Sequence, residues 1–210
     1  FHPEFAFLPR KFKFAISGTL EDRAVTWFHD IGLHLKQVDG EVGFTVIVGG
    51  GLGRTPIRGQ IVREFLPWQH ILTYCEAILR VYNRFGRRDN AYKARIKILV
   101  QALGVEEFRK LVEAEWAHGK DGPATITQAE FDRVAAHFTA PAYAASDDGD
   151  LAEKLASEKS FKIWVDRSTH PHKAPGYTAV TLSLKKHGVA PGDITADQMD
   201  VVADLAEQYS

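Results

Sequence analysis

Cysteine is all but missing: Cys75 stands alone in 210 residues. That excludes an intrachain disulfide, and it excludes an iron–sulfur or zinc cage built from this chain's thiolates alone. Excess charge is missing too. Lys and Arg number 26 against 27 Asp and Glu, a net charge of −1. The molecule as a whole therefore gives no reason to expect nucleic acid or an acidic membrane as partner, and any cationic site must be local. No apolar run reaches the roughly 18–20 residues of a membrane span, and no signal peptide is visible. The chain opens on Phe1 rather than Met, so loss of an upstream segment is expected, and the sparse cysteine suits a cytoplasmic setting. No G-K-S/T follows a glycine loop, and Ser17 and Thr73 lack His or Asp partners at motif spacing, so neither nucleotide hydrolysis nor nucleophilic catalysis has support.

What is present reads as an α+β chain. The first fifty residues are β-rich, with strands expected over 11–17, 25–38 and 42–48. Asp39-Gly40 marks a hairpin between the last two. After Pro67 the apolar spacing becomes helical: Ile71, Leu72, Cys75, Ile78, Leu79, Tyr82 and Phe85 fall on one stripe, and Gly86 stops it. Asn90 is a candidate cap for a helix running to Leu103, and further helices are expected over 105–118 and, from a Thr127/Glu130 capping box, to about Phe138. Residues 139–160 read as a linker carrying a short helix over 150–159. Strands are expected over 162–165 and 177–184, followed by a helix capped by Thr195 with Met199, Val202 and Leu205 along one stripe. The implied organisation is a first domain over 1–138, the linker, and the start of a second α+β unit over 161–210.

Several stretches offer chemistry. In FLPRKFKFAIS, over 7–17, a strand would place Phe12, Phe14 and Ile16 on a core face and Lys11 and Lys13 together on the other. Two readings stand: an ordinary strand with one wet face, or two like charges that an anion would relieve. The HDIG over 29–32 offers a His-Asp pair, but adjacent strand residues face opposite sides, which argues against a shared metal. The run GGGLGR over 49–54 departs from the dinucleotide fingerprint, and Pro56 delays any helix. Its glycines allow close approach of backbone to a flat or anionic group, or simply a tight loop. The HPHK over 170–173 lacks the further ligands a metal needs. The cations Arg80, Arg84, Arg87, Arg88, Lys93, Arg95 and Lys97 interleave with aromatics; a solvated helix face is preferred over phosphate contact. Cys75, on an apolar stripe, is expected to be inert. No metal-ligating set emerges.

Three segments in this order, LPRKFK over 8–13, HDIGL and VGFTVIVGGGLGRTP over 29–56, and the run from His172 to Ser210, resemble the sirohaem-dependent nitrite and sulfite reductases, in particular the haemoprotein component of assimilatory sulfite reductase. The resemblance implies a catalytic half-domain with a mixed or antiparallel sheet and helices packed on one side, followed by the start of a ferredoxin-like half. It implies an oxidoreductase of sulfur assimilation that holds sirohaem and a 4Fe–4S cluster and reduces sulfite, or nitrite, by six electrons drawn from ferredoxin or an NADPH-dependent flavoprotein. Lys11 and Lys13 match the lysines that face the substrate anion. Arg10 matches a contact to the haem carboxylates, and Gly49, Gly50, Gly51, Gly53 and Arg54 match the loop beside the macrocycle. The family's cluster needs four cysteines, so the chain by itself is expected to hold no cofactor and to be inactive, and a homodimer of it is a further expectation. A stand-alone anion- or tetrapyrrole-binding module is the alternative from another class.

Overall fold

The computed structural model describes residues 2–19, 21–143 and 149–209. Within the expected linker, residues 144–148 lie outside the described ones. Two compact units divide the chain, Phe1–Thr139 and Ala140–Ser210.

In the first unit a four-stranded sheet is ordered β1-β2-β3-β4, with β1 (Phe14–Ser17), β2 (Ile31–Val38), β3 (Glu41–Val48) and β4 (Gln60–Pro67). β1 runs parallel to β2, and the remaining pairs are antiparallel. Asp39 and Gly40 both take positive φ, 50° and 85°, the geometry a tight two-residue hairpin needs to match strand twist. One face of the sheet, with Ile31, Leu33, Val46 and Val48, is buried under α1 (Ile71–Phe85), α2 (Ile96–Leu103) and α3 (Val105–Gly119). A short helix, α4 (Gln128–Ala135), follows, with the Thr127 hydroxyl accepting from the Glu130 N–H.

Several expectations fail here for identifiable reasons. Strand β1 starts at Phe14 rather than Lys11, because only from there does the ladder to β2 run. The stretch 25–38 is not one strand. Its first part is a 3-10 turn, Thr26–Phe28, entered through Val25 at φ 55°. Asp22 captures the Thr26 N–H and hydroxyl at 2.8 Å. Burial pushes the Asp22 carboxyl up, but these Thr26 donors outweigh it and hold it below its usual range. Strand β4 was not foreseen. Register shifts between Phe44, Val46 and Ile47 interrupt the ladder, and the apolar residues of β4 come as adjacent couples, Ile61-Val62 and Phe65-Leu66, so the alternation that marks a strand is broken in the sequence. Asn90 caps a 3-10 turn, Ala91–Lys93, instead of α2. Leu72 and Phe85 lie on the exposed side of α1, and α4 ends at Ala135, short of Phe138.

The second unit contains α5 (Leu151–Ser157), α6 (Lys159–Ser168), a small hairpin of β5 (Thr169–Pro171) with β6 (Thr178–Val180), and α7 (Ala196–Tyr209). The expected strand over 162–165 is helix. Its Trp164 stacks on Phe161 at 6.0 Å, the i, i+3 neighbour a helix brings onto the same side. The strand expected over 177–184 shrinks to β6, and part of the expected loop over 168–176 pairs with it as β5. Thr195 and Gln198 exchange capping hydrogen bonds at 3.0 and 3.3 Å, so α7 starts where the Thr195 cap predicts, and the structure completes that cap as a capping box. Met199, Val202 and Leu205 are exposed.

Candidate anion and cofactor site

The chain ahead of β1 is laid across α1 and pinned at intervals. The Glu4 carboxylate meets Arg80 at 3.0 Å, and its carbonyl accepts from Asn83. The Phe7 carbonyl accepts from Arg88 at 2.8 Å. The Tyr82 hydroxyl lies 3.0 Å from the Arg10 carbonyl and 2.8 Å from that of Ala94. At Lys13 the N–H donates to Asp30 at 2.8 Å, and the carbonyl accepts from the Ile31 N–H at 3.1 Å. Every one of these bonds holds backbone or an acidic side chain. The Lys11 and Lys13 side chains are left exposed, and among the described residues no carboxylate lies within ion-pair distance of either.

The faces of this segment differ from expectation. Phe14 and Ile16 pair with Ile31 and Leu33 and so share the sheet face that the helices cover. At this edge the cover runs out, leaving them 42% and 57% exposed, while Phe12 still reaches the core. Ala15 and Ser17, on the side of the lysines, are the buried pair. The turn Thr26–Phe28 accounts for that. It lies against the second face of the sheet, so close that a Cβ on Gly32 would strike the Thr26 carbonyl.

Asp30 is the residue that sequence reasoning missed. It is fully buried, and its carboxylate takes the Lys13 N–H and both nitrogens of a fork from Arg95, one at 3.0 Å and one closer still. Its own carbonyl accepts from the Gly49 N–H at 2.9 Å. One aspartate thus ties together the lysine segment, the first residue of the glycine loop and the start of α2. Hydrogen bonding to Asp30 raises the Arg95 guanidinium above its usual range, so the guanidinium stays charged. The signal was in view: an aspartate directly before a buried apolar run demands a cation, and Arg95 was read as part of a solvated face. His29, its neighbour in the HDIG, turns away to the Val25 carbonyl at 2.9 Å.

The basic run is spent largely within the chain. Arg80 meets Glu4 and Glu76, Arg87 meets Asp89, Arg88 meets Phe7, Arg95 meets Asp30, and Lys97 reaches the Thr55 carbonyl at 2.7 Å.

The glycine loop is a hairpin closed by paired bonds between Gly51 and Ile57, each 2.9 Å. Three of its glycines answer to the chain's own packing. A Cβ on Gly49 would stand 3.0 Å from Val100, one on Gly50 would enter the Trp27–His29 backbone, and one on Gly51 would stand 3.1 Å from Lys97. Gly53, at φ 104°, has open space around it, and Arg54 beside it is exposed. The structure therefore joins Lys13 and Gly49 through Asp30, while Gly53 and Arg54 stand at the hairpin tip, away from that node. Arg10 is half-buried, its guanidinium 5.8 Å from the Tyr92 ring centre.

The donor set decides what the chain could hold. Cys75 is buried in α1, and burial pushes its thiol up to about 12. A single protonated thiol does not fit a 4Fe–4S cluster, which takes four thiolates. An anionic macrocycle is different. Arg10, Lys11 and Lys13 on the segment ahead of β1, and Arg54 at the hairpin tip, are cations without carboxylate partners among the described residues, and groups of this kind suit a ligand rich in carboxylates.

Residues 1–120 match the family model described as nitrite and sulphite reductase 4Fe-4S domain. The chain belongs to the nitrite and sulphite reductase family. It is 34% identical over 126 residues to sulfite reductase (ferredoxin) 1 of Mycolicibacterium paratuberculosis, covering 59% of this chain and 22% of that protein. It is 28% identical over 209 residues to the chloroplastic ferredoxin–nitrite reductase of Arabidopsis thaliana, covering 99% of this chain and 30% of the relative. Among solved structures, that of the Mycobacterium tuberculosis NirA protein superposes with a TM-score of 0.51 at 32% identity, over 58% of this chain and 22% of that one. This member of the nitrite and sulphite reductase family thus spans under a third of the length of these relatives, and its mixed sheet with helices on one side is the family's fold. Among the described residues, no helix is long and apolar enough to cross a membrane.

Proposed function

We propose that the first unit forms part of a sulfite reductase, in which Lys11 and Lys13 hold the substrate oxyanion. The observation that carries this reading is a pair of exposed ammonium groups, without ion-pair partners among the described residues, on a backbone fixed by Asp30 and Ile31. Burying a carboxylate pair against these lysines would have been the ordinary way to remove their mutual repulsion; the anion does it instead. Sulfite becomes sulfide by taking up six electrons and shedding its three oxygens as water, so six protons must arrive as well. Two lysines beside the anion can both hold it and pass protons to the departing oxygens. Sirohaem, when bound, supplies the iron on which the anion is reduced. Arg10 and Arg54 are the residues that would meet its carboxylates, and Gly53 leaves room beside them. A cluster has no part in this chain's share of the chemistry, because its one cysteine does not fit the four thiolates a cluster takes. Electrons come from ferredoxin on this reading, the donor in the names of the two relatives described above.

Nitrite is the second reading. It is favoured by one observation: the relative aligned over 99% of this chain is a nitrite reductase. The test is a reductase in which this chain replaces the matching segment of one of these relatives. Lys11→Ala and Lys13→Ala should each lower kcat/KM for the true anion by about tenfold or more, the usual scale for losing a group that stabilises developing charge, with the haem absorbance unchanged. Sulfite and nitrite assayed side by side decide between the anions. Unchanged kinetics with both would remove the lysines from the site.

A further inference from the structure

We infer that Asp30 and Arg95 form a positioning pair, which sets the backbone at Lys13 against the glycine loop and so presents the lysines to the anion. The inference rests on the lysine reading above, and its test is built to fail separately. Neither side chain of the pair reaches the lysine ammonium groups. The carboxylate holds the Lys13 N–H at 2.8 Å, and the Asp30 carbonyl holds the Gly49 N–H at 2.9 Å. The aspartate is completely buried, while the Arg95 side chain is 23% exposed. That arrangement is costly as a stability device, since a buried ion pair is often matched or beaten by apolar residues of similar volume. It is well suited to positioning. The guanidinium fork fixes the carboxylate in one plane, and the carboxylate fixes a backbone amide at the residue whose side chain must meet the ligand. A misplacement of about 1 Å can cost on the order of a hundredfold in a preorganised site. Lysine's flexible stem absorbs part of that, so a loss of about five- to tenfold in affinity is expected.

The decisive variant removes the pair while sparing the fold. Asp30→Leu with Arg95→Met replaces the ions by apolar side chains of comparable size, and the chain should keep its melting temperature within a few degrees. Arg95→Gln is the milder companion, at a position partly in solvent. The readouts are amide hydrogen exchange and a sulfite titration followed by amide NMR shifts at Lys11 and Lys13, with Lys11→Ala/Lys13→Ala as control. In the double variant the Lys13 amide should lose protection, whereas the Gly49 amide, bonded to a main-chain carbonyl, should keep it. Sulfite affinity should fall about five- to tenfold, and less in Arg95→Gln. Unchanged protection at Lys13, or unchanged sulfite affinity where the lysine control has lost it, overturns the positioning role and leaves the lysine reading standing. A lysine control that binds sulfite like the parent overturns the lysine reading itself, and the positioning role with it.

Discussion

Replacing Glu113 by alanine should loosen the helices from the sheet that carries the lysine segment, by an amount the geometry sets. The Glu113 carboxylate on α3 accepts from Arg63 of β4 at 2.7 and 2.8 Å and from the Tyr74 hydroxyl of α1 at 2.7 Å. It therefore joins three elements. Arg63 also lies 4.5 Å over the Trp116 ring, and the Trp116 N–H donates to Thr73 at 3.0 Å. The ion pair is about a third exposed on both sides, 30% and 35%, so solvent screening limits it to about 0–1 kcal/mol. Tyr74 is fully buried, and stranding its hydroxyl costs about 1–3 kcal/mol. Burial, then the Glu113 hydrogen bond, raise the Tyr74 phenol well above its ordinary value, so the hydroxyl stays protonated and in need of an acceptor at any working pH. Together the loss is about 1–4 kcal/mol, which for a unit of this size lowers Tm by roughly 3–15 °C. Glu113→Gln keeps an acceptor and should lose about 1 kcal/mol or less. Thermal unfolding of Glu113→Ala, Tyr74→Phe and the double variant is the assay. The orphaned hydroxyl is absent from the double variant, so the two single losses should not add. A loss under about 0.5 kcal/mol for Glu113→Ala, or strict additivity, would refute the reasoning.

The Cys75 thiol, raised to about 12 by burial, should resist a disulfide reagent at pH 8 in the folded chain and react once it is denatured; rapid labelling of the folded chain would contradict this burial. The sign of the pH effect follows. The raised folded value means the thiol's contribution to stability is full below the unfolded value of about 8.5 and is lost as pH rises from there through about 12, so a denaturant midpoint series should fall over that window and flatten in Cys75→Ala. Within the glycine loop, Gly50→Ala should destabilise most, because its Cβ meets the Trp27 and His29 backbone, whereas Gly53→Ala meets only the strain of a positive φ and should lose about 1 kcal/mol. Equal Tm losses at the two positions would sink the packing account of the loop.

Helices with a single wet face were readable from spacing. Cys75, Ile78, Leu79 and Tyr82 fall where α1 buries them, as does the Ile96, Leu99 and Val100 stripe of α2. The Asp39-Gly40 hairpin was readable because two positive φ values need those residues. Strand β4 was not, because its bulges erase the period of two, and neither was α6, whose Lys162-Ile163-Trp164-Val165 stretch has β-type composition inside a helical register. In both cases pairing and contacts made elsewhere decided the outcome.

The site shows the same division more sharply. Lys11 and Lys13 invite a chemical reading because two cations so close together in an apolar stretch are anomalous within a few residues. Asp30 was legible only as half of a short motif, since its partners Lys13 and Arg95 stand 17 and 65 positions away. No local rule links them, and the hydrogen bond at Lys13 goes to backbone, which carries no sequence signal at all. What the fold adds to the lysines is therefore placement. The glycines at 49, 50 and 51 let the loop close against the Trp27–His29 backbone, Val100 and Lys97. Asp30 then couples that closed loop to Lys13 through one carboxylate and one carbonyl. The two bonds are separable: the carboxylate bond at Lys13 depends on the Asp30 side chain, whereas the bond at Gly49 is made by the main chain and outlasts its removal.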